Sequence, residues 1–170
     1  MRWCWIDRFI EFEAGRSAKA VKVISLAEDY VHDYLPGYPL VPRCFVIEGL
    51  AQTAGLLVSQ QFDFRLNVIL AKIPRIVFFH EAFPGDVLTY VARAEFIRRD
   101  GALTSTQCLR GEELLAEGQI FFAIFEAGQQ MPLFRRADFL HQLRMLRLFE
   151  VGRGPDGTPL PLPAELTEPV

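Results

Sequence analysis

Glu48 and Gln52 stand four residues apart on a stretch, Cys44 to Ser59, that is otherwise nearly all carbon. Phe45, Val46, Ile47, Leu50, Ala51, Ala54, Leu56, Leu57 and Val58 leave no wide polar face, which marks a buried helix started by Pro42. Residues four apart share one helical stripe, so the two side chains face the same way. A carboxyl on such a helix is stripped of water, which favours the protonated form that a general acid needs. The plainer readings of Glu48 are a hydrogen-bonded core acid or a solvent-facing one. Gln52 either bonds the Glu48 carboxyl or lies at a cleft rim. Just upstream, Pro36, Gly37, Pro39 and Pro42 remove donors and fix φ, so Tyr34 to Pro42 is predicted to be an extended, irregular loop. His32 and Tyr34 precede it. Imidazole titrates near neutrality, whereas a phenol, with a pKa of about 10, is a poor base there and a good hydrogen-bond donor. In an extended segment these two residues point to the same side, about 6.5 Å apart. His32 is otherwise an ordinary surface histidine beside Asp33.

The run Tyr34-Leu35-Pro36-Gly37-Tyr38-Pro39-Leu40-Val41-Pro42-Arg43-Cys44-Phe45-Val46-Ile47-Glu48-Gly49-Leu50-Ala51-Gln52 resembles a known signature. It is that of the FabZ-type 3-hydroxyacyl-acyl-carrier-protein dehydratases, His-Phe-Pro-Gly-x-Pro-x-x-Pro-Gly-x-x-x-x-Glu-x-x-Ala-Gln. The resemblance starts near Ile6-Asp7-Arg8, includes the Pro84-Gly85-Asp86 that opens a strand, and fades after about Phe125. It implies an α+β hot-dog fold, in which an antiparallel sheet wraps one buried helix, and a homodimer. It also implies an apolar acyl tunnel at the subunit interface, where the histidine of one subunit faces the acid of the other. That histidine takes the C2 proton of the thioester, and the acid protonates the departing 3-hydroxyl. In register, Glu48 is the acid and Tyr34 falls on the histidine, with His32 the nearest imidazole. Arg43 stands where the family has glycine, whose N–H approaches the thioester carbonyl at a helix N-terminus. The Arg43 cation could block the channel, bind a carboxylate or phosphate, or turn to solvent. Pro42, Arg43, Cys44 and Gln52 are therefore the expected substrate-binding set beside Glu48, Tyr34 and His32. Neither cofactor nor metal is expected.

The elements needed to position these residues are legible around them. Two strands are expected between Ile6 and Ser25, joined at Glu13-Ala14-Gly15-Arg16. Val68 to Phe79 is a strand with an edge or bulge at Pro74. Val87–Arg99, Ala102–Arg110 and Leu114–Phe125 form a meander turning at Asp100-Gly101 and Gly111. The last run, with Phe121, Phe122, Ile124 and Phe125, reads as central and buried on both sides. A C-terminal helix is expected over Asp138 to Glu150, with Asp138 as N-cap and Phe139, Leu143, Leu146 and Phe149 inward. Its Arg135, Arg136, Arg144 and Arg147 form a solvated face or one that attracts an acidic carrier protein. Residues 1–127 then form the hot-dog domain, and 128–170 supply that helix and a Pro/Gly-rich tail packed on it or fraying. His80, among phenylalanines, is expected to pack at the core or edge, and His141 to face solvent.

The chain has 170 residues, 51% hydrophobic and 23% charged, an ordinary globular composition. A net charge of -3 argues against a nucleic-acid partner. The longest uncharged stretch is interrupted by polar residues, which argues against a membrane span. Cys4, Cys44 and Cys108 are odd in number and unpaired by spacing, as reduced thiols of a cytoplasmic protein would be. Three readings follow. The first is a hydro-lyase on 3-hydroxyacyl thioesters of acyl-carrier protein or coenzyme A, with an altered base position. The others are an acyl-thioester-binding module with weak or no turnover, and a hot-dog thioesterase, against which the proline-rich loop argues.

Overall fold

The computed structural model describes residues 3–126 and 135–166. In chain order it contains β1 (Arg8–Glu13), β2 (Ser17–Val23), α1 (Asp29–Tyr34), α2 (Arg43–Gln60), β3 (Asn67–Phe78) and β4 (Val87–Ile97). Then come β5 (Gly101–Arg110), β6 (Glu113–Phe125), α3 (Arg136–Met145), α4 (Leu148–Val151), β7 (Gly152–Arg153) and a single 3-10 turn, Ala164–Leu166. The strands form one sheet in the order β3-β6-β5-β4-β2-β1-β7. Every pairing is antiparallel except that of the short β7 with β1.

Because α2 has no polar face, it can be stable only when covered, and the sheet wraps it. Leu50, Ala54, Leu57 and Val58 are fully buried. Opposite them the sheet presents small residues, Ala18, Ala20, Ala92, Ala102 and Ala116, which let it curve closely over the helix. Thr104 and Thr106 also point inward, and each hydroxyl donates to a β6 carbonyl, that of Ile120 or Gly118. Gly49 is the point of closest approach: a Cβ there would lie 2.2 Å from Cζ of Tyr90. The β3 edge position agrees with its proline, and the pairing with β6 slips on either side of Lys72.

The structure differs from the sequence reading at four places. His32 and Tyr34 lie on a short helix, α1, not on an extended segment; irregular backbone begins only at Leu35. Strand β6 lies between β3 and β5, but one of its faces is covered and the other is not, leaving Phe125 exposed. The C-terminal helix starts at Arg136 without a side-chain cap, so Asp138 sits in its first turn. It also breaks at Arg147, whose φ of 61° reverses the chain so that Leu148 is buried and Gly152 pairs with Phe12. Phe139, Leu140, Leu143 and Leu146 join the core, and the Leu146 carbonyl accepts the Phe9 N–H at 2.8 Å. His80 is exposed beside Glu113 instead of packed, and His141 is exposed. The expected boundary at 127/128 lies outside the described residues. Among the described residues, no helix is long and apolar enough to cross a membrane.

Candidate active site

The loop leading into α2 is shaped by its Pro-Gly pair. Leu35, Pro36, Gly37 and Tyr38 form a turn closed by Tyr38 N–H to the Leu35 carbonyl at 2.9 Å, with Gly37 at φ 81°. Proline at the second position and a positive φ at the third are what such a turn demands. The second Pro-Gly pair repeats the device: Asp86 N–H reaches the Phe83 carbonyl at 3.1 Å, with Gly85 at φ 95°. Asp86 then accepts from Phe83 N–H (2.8 Å) and from Arg110 Nη1 (2.9 Å), which fixes the loop to β5. The two loops are tied together by Val41 N–H to the Ala82 carbonyl, 2.8 Å. Pro42, buried, then starts α2 with no side-chain cap at its N-terminus. Arg43 does not block that end. Its guanidinium lies over Phe78, 5.0 Å from the ring centroid, and donates to Glu81 through Nε (3.2 Å) and Nη2. Cys44 is exposed, one helical turn before Glu48 on the same stripe.

Glu48 is half-buried, and its Oε1 accepts a 2.7 Å hydrogen bond from Gln52 Nε2. Gln52 cannot be turned round, because its own Oε1 accepts the Trp5 N–H at 2.9 Å. Its amide therefore presents hydrogens to Glu48, which keeps Glu48 Oε1 an acceptor and leaves Oε2 as the oxygen open to another group. Among the described residues Oε2 has no partner. Trp5 is held in turn by Nε1–H donation to the Tyr90 hydroxyl at 2.7 Å. Cys4 lies near this cluster, and burial pushes its thiol up to about 11.

The two candidate bases diverge. On a helix, residues two apart are turned by about 200°, so His32 and Tyr34 do not share a side. His32 Nε2 lies 2.8 Å from the Leu26 carbonyl oxygen; a carbonyl only accepts, so Nε2 carries the proton and donates it there. Tyr34 is 52% exposed at the end of α1.

A cavity of about 580 Å³ opens beside Glu48 and Gln52 and follows α2 through Ala51, Gly55 and Leu56 to Ser59. Leu66, Val68, Leu70, Phe122 and Phe139 complete its apolar wall. Among the described residues neither Tyr34 nor His32 lines it. Its far end carries Ser59, Arg65 and Asn67, which the sequence reading missed, and Arg136, which it had assigned to a solvated or carrier-attracting face. The recurrence of 48, 52, 55 and 59 on one helical stripe carried a signal for Ser59. Arg65 and Asn67 follow a turn in which Asp63 and Phe64 both have positive φ, and no spacing rule announces that.

The FabA-like domain family matches residues 3–123. A 3-hydroxyacyl-[acyl-carrier-protein] dehydratase FabZ from Moorella thermoacetica is 36% identical over 125 residues, covering 71% of this chain and 85% of the relative. The FabZ of Clostridioides difficile is 29% identical over 122 residues, covering 71% and 86%. Among solved structures, the dehydratase heterocomplex ApeI:P from Xenorhabdus doucetiae superposes with a TM-score of 0.62 at 13% identity, covering 76% of this chain and 86% of that one. The wrapped helix is thus the hot-dog fold.

Proposed function

Because the chain belongs to the FabA-like family and has FabZ 3-hydroxyacyl-[acyl-carrier-protein] dehydratases as relatives, we propose that it acts as a hydro-lyase on 3-hydroxyacyl thioesters. The carrier is acyl-carrier protein or coenzyme A, and the setting is fatty-acid or related lipid biosynthesis. The observation that carries this reading is the Glu48 carboxyl at the mouth of an apolar cavity, with Gln52 holding one oxygen and the other free. Protonated Oε2 gives its proton to the 3-hydroxyl as the C3–O bond breaks and water leaves, while a base removes the C2 proton. Arg43 and Cys44 offer backbone N–H groups at the uncapped α2 N-terminus for the thioester carbonyl, with Pro42 fixing the approach.

The base position is the altered part. Tyr34 occupies it in register; His32, with Nε2–H on the Leu26 carbonyl, keeps Nδ1 as an acceptor but stands two residues out of register, on another side of α1. A base delivered by a second copy fits the unpaired edge of β3, where Ile69 and Leu70 are exposed, so the proposed unit is a homodimer. The free thiols Cys4, Cys44 and Cys108 suit the cytoplasm. The phenol supports a second reading, an acyl-thioester-binding protein with weak turnover.

Hydration of a 2-enoyl thioester by the purified protein separates the two. Slow hydration is expected, raised by Tyr34→His and lowered at least ~100-fold by Glu48→Gln, the scale of general acid catalysis. No hydration by wild type or Tyr34→His, with thioester binding retained, leaves the binding module. Turnover unchanged in Glu48→Gln removes Glu48 from the mechanism.

A further inference from the structure

Building on the reading of the protein as one that acts on acyl thioesters, we infer that its cavity takes an acyl chain ending in a carboxylate, held at the far end by Arg65, Arg136, Ser59 and Asn67.

The cavity is apolar in the middle and polar at both ends. From Glu48 to Ser59 the helix advances about 16 Å, the length of about thirteen bonds of an extended chain at roughly 1.2 Å each. Between those ends the wall is carbon: Ala51, Gly55, Leu56, Leu66, Val68 and Phe122. A methylene chain fits there. A pantetheine arm does not, because its amide groups would find no partners along that wall.

At the far end Ser59 is 5% exposed and Asn67 7%, and neither side chain has a hydrogen-bond partner among the described residues. Arg136 Nε, on the same wall, is enclosed and has no hydrogen-bond partner among the described residues. Enclosed polar groups are nearly always satisfied, so this end of the cavity points to an occupant that accepts hydrogen bonds, which a terminal methyl group cannot do. The charge of that occupant follows from the arginines. Arg65 has no ion-pair partner among the described residues and lies close enough to Arg136 for the two to repel. Burial, and then Arg65, holds the Arg136 guanidinium below its ordinary value, which an arriving anion would relieve. Arg136 keeps Glu165 as a partner and also reaches the Asp63 carbonyl at 3.4 Å. Arg65 is therefore the cation free to close on a carboxylate. Arg136 and Phe139 lie beyond residues 3–123, the stretch matched to the family, whereas Ser59, Arg65 and Asn67 lie within it.

The experiment is calorimetric titration of the full-length protein with N-acetylcysteamine thioesters, which carry no phosphate. The pair compared is dodecanoyl and 11-carboxyundecanoyl, with dodecanoyl-coenzyme A as a third ligand. The carboxylate-ended chain is expected to bind at least about tenfold tighter than the methyl-ended one, the worth of one charge-assisted hydrogen bond. Arg65→Gln, at an exposed position that folding tolerates, abolishes the preference; Asn67→Ala reduces it; Arg65→Lys retains part of it. Equal binding of the two chains would overturn the inference and leave the dehydratase reading standing. A coenzyme A thioester that binds tighter than its N-acetylcysteamine counterpart, by a margin lost in Arg65→Gln, assigns the arginines to a phosphate and also overturns it. A carboxylate preference without hydration of any enoyl thioester supports the inference and refutes the dehydratase. Absence of binding by all three ligands refutes both.

Discussion

Replacing Gly49 with alanine tests whether the fit between α2 and the sheet is as tight as it looks. An ordinary helix interior gains about 1 kcal/mol from Gly→Ala. Here the new methyl would stand 2.2, 2.4 and 2.6 Å from Cζ, Cε2 and Cε1 of Tyr90, where carbon atoms normally keep about 3.5–4.0 Å. The Tyr90 ring is fully buried, and its hydroxyl accepts the 2.7 Å bond from Trp5 Nε1, so it cannot retreat without breaking that bond. Overpacking costs about 1–3 kcal/mol, and the orphaned Trp5 donor about 1–3 more. Against the propensity gain, a net loss of about 3 kcal/mol remains. For a chain of this size that lowers Tm by about 6–12 °C, on a scale of 2–4 °C per kcal/mol. Gly55→Ala is the internal control. Its methyl would meet Phe122 Cε1 at 3.3 Å, a contact that a small ring shift relieves. Gly55→Ala should therefore melt near wild type yet weaken acyl-thioester binding, because Gly55 lines the cavity. Circular-dichroism melts and urea titrations of both variants give the answer. A Gly49→Ala protein that melts with wild type would refute the reasoning, as would a Gly55→Ala protein that loses more stability than Gly49→Ala.

Three further outcomes are expected. His32→Ala should keep the wild-type hydration rate in the enoyl-thioester assay, since among the described residues His32 does not line the cavity beside Glu48; loss of turnover would make His32 the base. Ile69→Lys, on the β3 edge, should shift the proposed dimer towards monomer in light scattering and lower hydration with it. At high pH, burial pushes the Cys108 thiol from 9.0 up to about 12, and that of Cys4 up to about 11, so both stay neutral in the folded chain after their unfolded counterparts ionise. The folded state binds these protons more tightly, so the stabilisation is full below pH 9 and drains away between pH 9 and 12. Urea titrations across that range should show a shallower alkaline decline in Cys108→Ala than in wild type.

The parts of this protein that the sequence announced are those set by neighbours along the chain. The apolar run around Glu48 required a buried helix whatever covered it, and the spacing of Glu48 and Gln52 put both on one stripe. The prolines from Pro36 to Pro42 announced an irregular loop, though not the turn at Pro36-Gly37, and Pro74 marked β3 as an edge or bulged strand. Where residues far apart in the chain compete, local reasoning fell short. A six-residue helix such as α1 is too short to hold alone. It persists because Val31 is buried and the Tyr30 ring packs at a tilt against Phe45 of α2, with ring centroids 4.5 Å apart. That packing turns His32 and Tyr34 away from each other. Arg43 is drawn from the channel by Glu81, thirty-eight residues on, and the C-terminal helix breaks so that Leu148 and Gly152 can reach β1. The polar end of the cavity brings Ser59, Arg65 and Asn67 to Arg136. No local preference encodes that convergence. Only the path of the whole chain sets it, because the charge and burial of each of these groups depend on side chains that are remote in sequence.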